Sequence, residues 1–209
     1  MAGKDCVAIA SDKRLGVQYT TVAMDVNRVF KIHDKLMLGL SGLMTDIQTL
    51  NQLFRYKLNI YEMEESRQIQ PSTFANLVSS SLYEKRFGSY FSEPIIAGLD
   101  KENKPYLCMM DSLGALATAD DFVVSGTCDS SLFGTCETFW KPDLGPDELF
   151  ETVSQSLLAA LDRDIYSGWG ATVYILTKDG IQVKNLVARM DWAGLVMQRF
   201  LFPDGVGKE

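Results

Sequence analysis

Short apolar runs and longer amphipathic stretches alternate along this chain in blocks, and the block order restricts the fold more than any other feature. Cys6–Ala10, Val29–Ile32 and Lys35–Leu40 are four- to six-residue apolar runs bounded by Gly, Asp or Asn, the pattern of buried strands. From Thr45, Ile47, Leu50, Leu53, Phe54, Leu58 and Tyr61 recur at three- and four-residue steps, which predicts a helix with one buried face. Pro71 opens a second helix with Phe74, Leu77, Val78 and Leu82 on its inner side and Gly88 near its end. Strands then return at Pro94–Gly98, Tyr106–Met110 and Phe122–Ser125. Two more helices follow over 130–139 and 146–164, the second with Leu149, Phe150, Val153, Leu157, Ala160 and Leu161 on one side. Ala171–Leu176 and Ile181–Leu186 close the body through a hairpin-type turn at Lys178–Gly180. Strands grouped in runs, with helices in pairs between them, imply α+β architecture: antiparallel sheets covered by segregated helices.

At 209 residues and 46% hydrophobic content the chain can fill one sizeable core, and no linker, repeat or low-complexity segment divides it. Its net charge of −7, without a Lys/Arg-rich block, gives no electrostatic case for nucleic acid. No apolar run approaches the roughly 18 residues of a membrane span. Residues 1–5 carry no signal-peptide core. Four cysteines and a single histidine make neither a disulfide scaffold nor a zinc pattern, so no metal or cofactor is expected. Reduced thiols fit a cytosolic or nuclear protein.

Three stretches carry a resemblance. Val7–Arg14 (VAIASDKR) is similar to the first strand of proteasome beta subunits, an aliphatic strand ending in Asp-x-Arg. Leu38–Asp46 (LGLSGLMTD) resembles their strand-to-helix junction, and Asp162–Gly168 (DRDIYSG) their Arg-Asp-x-x-Ser-Gly loop. Residues 54–62, 82–88, 122–128, 168–170 and 186–191 resemble the type-3 class of these subunits, so the likeness runs from Cys6 to Asp191. It implies the four-layer α-β-β-α sandwich of N-terminal-nucleophile hydrolases over residues 1–191. It also implies a place in the beta ring of the 20S core, beside other beta subunits of the same and the opposite ring and beneath an alpha ring, in cytoplasm and nucleus.

Active members of that family attack the peptide carbonyl with an N-terminal threonine whose own amine takes the proton. By position, Asp12, Asp164 and Ser167 fall on the family's aspartate, aspartate and serine, and Gly42 on the glycine whose amide meets the oxyanion. The lysine position holds Arg28, which cannot lose a proton near neutral pH and suits a fixed ion pair with Asp12. The family's threonine would fall ahead of Met1. The expectation is therefore a vestigial site in a subunit retained for assembly and protein degradation by the complex. The competing readings are an active threonine protease whose start lies upstream, and a stand-alone binding module.

The family also implies that the segment Met109–Ala115 lines the substrate pocket of the adjacent, trypsin-like subunit, with Asp111 offering a carboxylate and Ala115 beside it; a plain turn aspartate is the other reading. His33 reads as a surface turn residue, and Ser125–Thr127 does not match a serine-hydrolase elbow. Cys6, Cys108, Cys128 and Cys136 read as small core hydrophobes. Thr20 and Thr21 are unsuited as an internal start, since a cut there would remove the first strand. Residues 192–209, with Leu195, Val196, Phe200, Leu201 and Phe202, form a C-terminal extension too apolar for a free solvated end.

Overall fold

In the computed structural model, residues 1–187 and the two-residue strand 200–201 are described; the expected extension at 192–209 lies outside them apart from that strand's backbone. Among the described residues, twelve strands and four helices follow the predicted block order. One antiparallel sheet contains β1 (Ala2–Gly3), β2 (Cys6–Asp12), β10 (Ala171–Thr177), β11 (Gly180–Val187) and β12 (Phe200–Leu201), in the order β1-β2-β10-β11-β12. The other runs β5-β6-β7-β8-β9, from β5 (Val29–His33), β6 (Leu36–Gly42), β7 (Ser92–Leu99), β8 (Pro105–Met110) and β9 (Leu116–Ala119). A separate hairpin joins β3 (Leu15–Val17) to β4 (Thr20–Ala23).

The two-residue period of a strand explains how these runs can be apolar throughout. In β2, Cys6 and Ala8 face a core shared with helices α3 (Asp129–Phe139) and α4 (Pro146–Leu161), while Val7 and Ile9 face the second sheet. In β6, Leu36, Leu38 and Leu40 meet α1 (Met44–Glu65) and α2 (Pro71–Glu84), and Met37 points the other way. A third core of Val7, Ile9, Val29, Met37, Ala97, Leu99, Leu107 and Leu176 draws on both sheets. At its edge Gly39 leaves room for its neighbour: a Cβ there would sit 3.0 Å from the Ile9 Cδ1.

The helices form as their sequences dictate. Ile47, Leu50, Phe54 and Leu58 are the buried stripe of α1, which stops where Ser66 turns left-handed and donates its N–H to the Glu62 carbonyl. Pro71 occupies the first turn of α2, and Phe74 packs edge-on against Phe54 at 6.1 Å between centroids. The Glu148 carboxylate reaches back to the Gly145 amide at the start of α4 (3.2 Å). That helix ends at Leu161, three residues before the predicted stop, because the Arg163 and Asp164 amides turn back three residues to the carbonyls of Ala160 and Leu161. Met1 packs into the α3/α4 core, its nitrogen 2.9 Å from the Ala8 carbonyl.

One predicted strand is absent. Phe122 and Val124 are buried against α3 and α4, and Val123 contacts the intersheet core, so Phe122–Ser125 alternates as a strand does but joins no ladder. Exposed Leu116–Ala119 supplies the sheet edge on β8 instead.

His33 also departs from expectation. Its ring is half-buried at the β5–β6 turn, with Nε2 3.0 Å from the Ile69 carbonyl and Nδ1 accepting the Lys35 amide at 3.1 Å. An amide donating to Nδ1 leaves the proton on Nε2, so the ring bridges β5 to the α1–α2 connection only while neutral. Burial lowers the imidazole pKa, and nearby Lys35 lowers it further; the Ile69 carbonyl, Glu62 and Asp34 oppose the shift without cancelling it. The unfolded chain therefore binds this proton at higher pH than the folded one, and the ring's contribution is full above about pH 6.5 and lost as pH falls below it. The urea midpoint should fall between pH 7.5 and 5.5, and His33→Gln should flatten that part of the curve.

Candidate functional site

The end of β2, the foot of β5, the end of β6 and the loop after α4 converge on a cleft of about 240 Å³. Asp12, Arg28, Gly42 and Ser167 line it, along with Ser41, Glu93, Ser125, Thr127, Cys128 and Tyr166. Of the five residues expected to form the vestigial site, Asp164 alone does not line the cleft. It accepts hydrogen bonds from Thr127 and Ser167, which do line it.

Asp12 is the hub of one half. Its Oδ1 lies 2.6 Å from Arg28 Nη1, with the two side chains only 17% and 19% exposed. Its Oδ2 accepts the amides of Arg14 at 3.1 Å and Gly168 at 3.0 Å. Arg28 also donates through Nη2 to the Arg14 carbonyl. Arg14 is itself buried, and its guanidinium donates to Thr21 Oγ1 (2.9 Å), the Tyr166 carbonyl (2.8 Å) and the Gln18 carbonyl (2.8 Å). It thereby pins the β3–β4 hairpin to the loop after α4. Only glycine fits at 168, where a Cβ would come within 2.5 Å of the Arg14 Cβ.

Asp164 organises the other half. Its Oδ2 accepts hydroxyl hydrogen bonds from Ser167 and Thr127, both at 2.5 Å, and its Oδ1 the Tyr166 amide at 3.1 Å. Burial by itself would raise this carboxyl, but the two hydroxyls, the amide and the positive Arg14 outweigh it and bring the pKa below the ordinary value. The Ser41 and Ser125 hydroxyls are 2.7 Å apart, and Ser125 reaches Glu93 Oε2 at 3.1 Å. Gly42 closes this end with a φ of +110°, where a Cβ would lie 2.1 Å from the Phe91 carbonyl oxygen.

A hydroxyl becomes a nucleophile when a base with a pKa near the working pH takes its proton. No lysine or histidine lines the cleft among the described residues. Arg28 cannot serve as that base, and the lowered Asp164 is a weak one. Cys128 is half-buried on the cleft wall, a correction to its reading as a core residue, while Cys6, Cys108 and Cys136 are buried as expected. Burial raises the Cys128 thiol, and Asp164 and Asp12 add to that, so it stays protonated at neutral pH. No group of three His, Cys, Asp or Glu side chains among the described residues is arranged to hold a metal.

Asp111 and Ala115 lie away from the cleft, on the exposed turn between β8 and β9. Asp111 Oδ1 accepts the amides of Leu113 (2.9 Å) and Ala115 (2.8 Å), and Ser79 on α2 donates to the Gly114 carbonyl at 2.6 Å. Sequence reasoning missed Arg14, Thr127, Ser41, Ser125 and Glu93 as site-forming groups. Arg14 sits in the Asp-x-Arg motif, but nothing in its spacing signals burial, and the hydroxyls carry no local signature.

A family model described as "Proteasome subunit" matches residues 1–176. The chain is 56% identical to a proteasome subunit beta type-3 of Picea mariana, with 91% of this chain and 94% of that protein aligned. It is 58% identical to a probable proteasome subunit beta type-3 of Schizosaccharomyces pombe (90% and 91%) and 53% identical to the beta type-3 subunit of Drosophila melanogaster (91% and 94%).

Removing the hub carboxylate leaves Arg28 in a mostly buried site without its ion-pair partner. Asp12→Ala should cost about 3 kcal/mol in urea unfolding, against about 1 kcal/mol for Thr127→Val, which loses one hydrogen bond.

Proposed function

The chain belongs to the proteasome subunit family, as a beta subunit of the 20S core, and from that premise we propose that it serves the particle without cleaving peptides itself. One observation carries the proposal: Arg28 is locked in a 2.6 Å ion pair with Asp12 where the family's chemistry uses a lysine, and no lysine or histidine lines the cleft among the described residues. Asp12, Asp164 and Ser167 are then structural, tying the loop after α4 to β2 and to Thr127, while Gly42 closes the end of β6 against Phe91. The three hydrophobic cores support reading the architecture as the four-layer α-β-β-α sandwich of N-terminal-nucleophile hydrolases. In this reading the subunit occupies one sector of a beta ring, between two unlike neighbours, facing a second beta ring and covered by an alpha ring, in cytoplasm and nucleus. The experiment is labelling of native core particles with a peptide epoxyketone, followed by intact mass measurement of each subunit. This chain should stay unmodified while catalytic subunits gain the probe; a labelled chain starting at threonine would reinstate the active protease.

Asp111 supports a second role in the same reading. Two turn amides occupy its Oδ1, so the exposed side chain can turn Oδ2 toward basic residues in a neighbouring subunit's substrate pocket, with Ala115 beside it. Asparagine keeps the Oδ1 acceptor and removes the charge. Asp111→Asn should therefore slow cleavage after basic residues by assembled particles about two- to fivefold, the scale of an exposed ion pair, without changing other cleavages.

A further inference from the structure

We propose that the C-terminal end of α2 is a docking knob for another polypeptide of the particle, one that presents a carboxylate inside an apolar recess; this rests on the reading of the chain as an assembled subunit. Phe87 is 94% exposed, the most of any large apolar side chain among the described residues, and Tyr83, one turn earlier, is 58% exposed. The Arg86 guanidinium lies over both rings, 4.7 Å from the Tyr83 centroid and 4.6 Å from that of Phe87. Arg86 Nη1 also meets the Tyr83 carbonyl at 3.3 Å. Among the described residues neither Lys85 nor Arg86 has a carboxylate partner, and the one acid in the stretch, Glu84, is turned toward Lys57 on α1 (3.8 Å).

The tip is rigid as well as exposed. Leu82, the last anchor of α2, is fully buried, and the amides of Lys85, Arg86 and Gly88 each turn back to a carbonyl three residues earlier at 2.9–3.2 Å. A stacked guanidinium between aromatic rings loses little further freedom on binding, and Tyr and Arg are the side chains in which interface energy concentrates. The stack does not account for the bare face of Phe87, which needs an apolar wall. Nor does it neutralise two adjacent cations on a chain of net charge −7. Charge complementarity therefore asks for an acid beside that wall. Two cations are too few for a nucleic-acid site, which neutralises a run of phosphates.

The test uses tagged chain in core particles, with benzoylphenylalanine in place of Phe87. Photo-cross-linking should join it to a segment of another subunit that contains Asp or Glu. Arg86→Glu should lower incorporation of the tagged chain about tenfold, Phe87→Ser should lower it likewise, and replacing the cross-linked acid by Arg should restore the Arg86→Glu variant. Cross-links to RNA, to a second copy of this chain or to a segment without acids would overturn the proposal, as would Arg86→Glu chain incorporated at the wild-type level. Absence of the wild-type chain from particles would instead sink the assembly reading, and this one with it.

Discussion

The Asp12 carboxylate is where the two sheets, the hairpin and the loop after α4 are held to one another. Asp12 ends β2 of one sheet, Arg28 stands at the foot of β5 in the other, and the amides of Arg14 and Gly168 close on the second carboxylate oxygen. Ion pairs at a surface add little to stability, but one that is more than four-fifths buried must be complete, because either charge left alone would be strongly unfavourable. The cleft exists because this cluster is satisfied: its walls come from segments far apart in the chain that meet at four hydrogen-bonded groups. An arginine in that position gains geometric precision and gives up proton transfer. That is the physical basis for reading the site as scaffold.

Elements with one or both faces buried were legible because burial writes itself into apolar spacing. The stripe of α1, the face of α4 and the runs of β2 and β6 all appear in the structure within a few residues of their expected bounds. The β3–β4 hairpin and β9 were not legible, since Val17, Tyr19 and Val22 stand exposed and Leu116–Ala119 is largely so. Phe122–Ser125 shows the opposite error. Its side chains alternate between two cores, which is the whole of the strand signal available in sequence, while its backbone joins no β-ladder. Periodicity reports what side chains face; it carries no information on where the amides go.

The site divides in the same way. Asp12, Arg28, Gly42, Asp164 and Ser167 could be named only because motifs resembled a family, for no local pattern distinguishes them from other polar residues. Long-range contacts such as Thr127 to Asp164 or Arg14 to the Tyr166 carbonyl depend on the folded chain and leave no trace in spacing. The relation between Arg86 and its two rings, by contrast, spans one helical turn, so sequence could have suggested it; what sequence could not give was the exposure.

Gly39 has a mechanical consequence. The cleft is bounded on one side by β2 and on the other by β6, so its width is set by how two stacked sheets sit on each other. Stacked sheets keep their relative position through the interdigitation of side chains on their facing surfaces. The terminal methyl of Ile9 reaches to within 3.0 Å of where a Cβ on Gly39 would stand, filling the space that the missing side chain leaves between facing strands. A missing side chain in one sheet thus indexes it against the other, and the mouth of the cleft keeps its gauge without a single covalent tie.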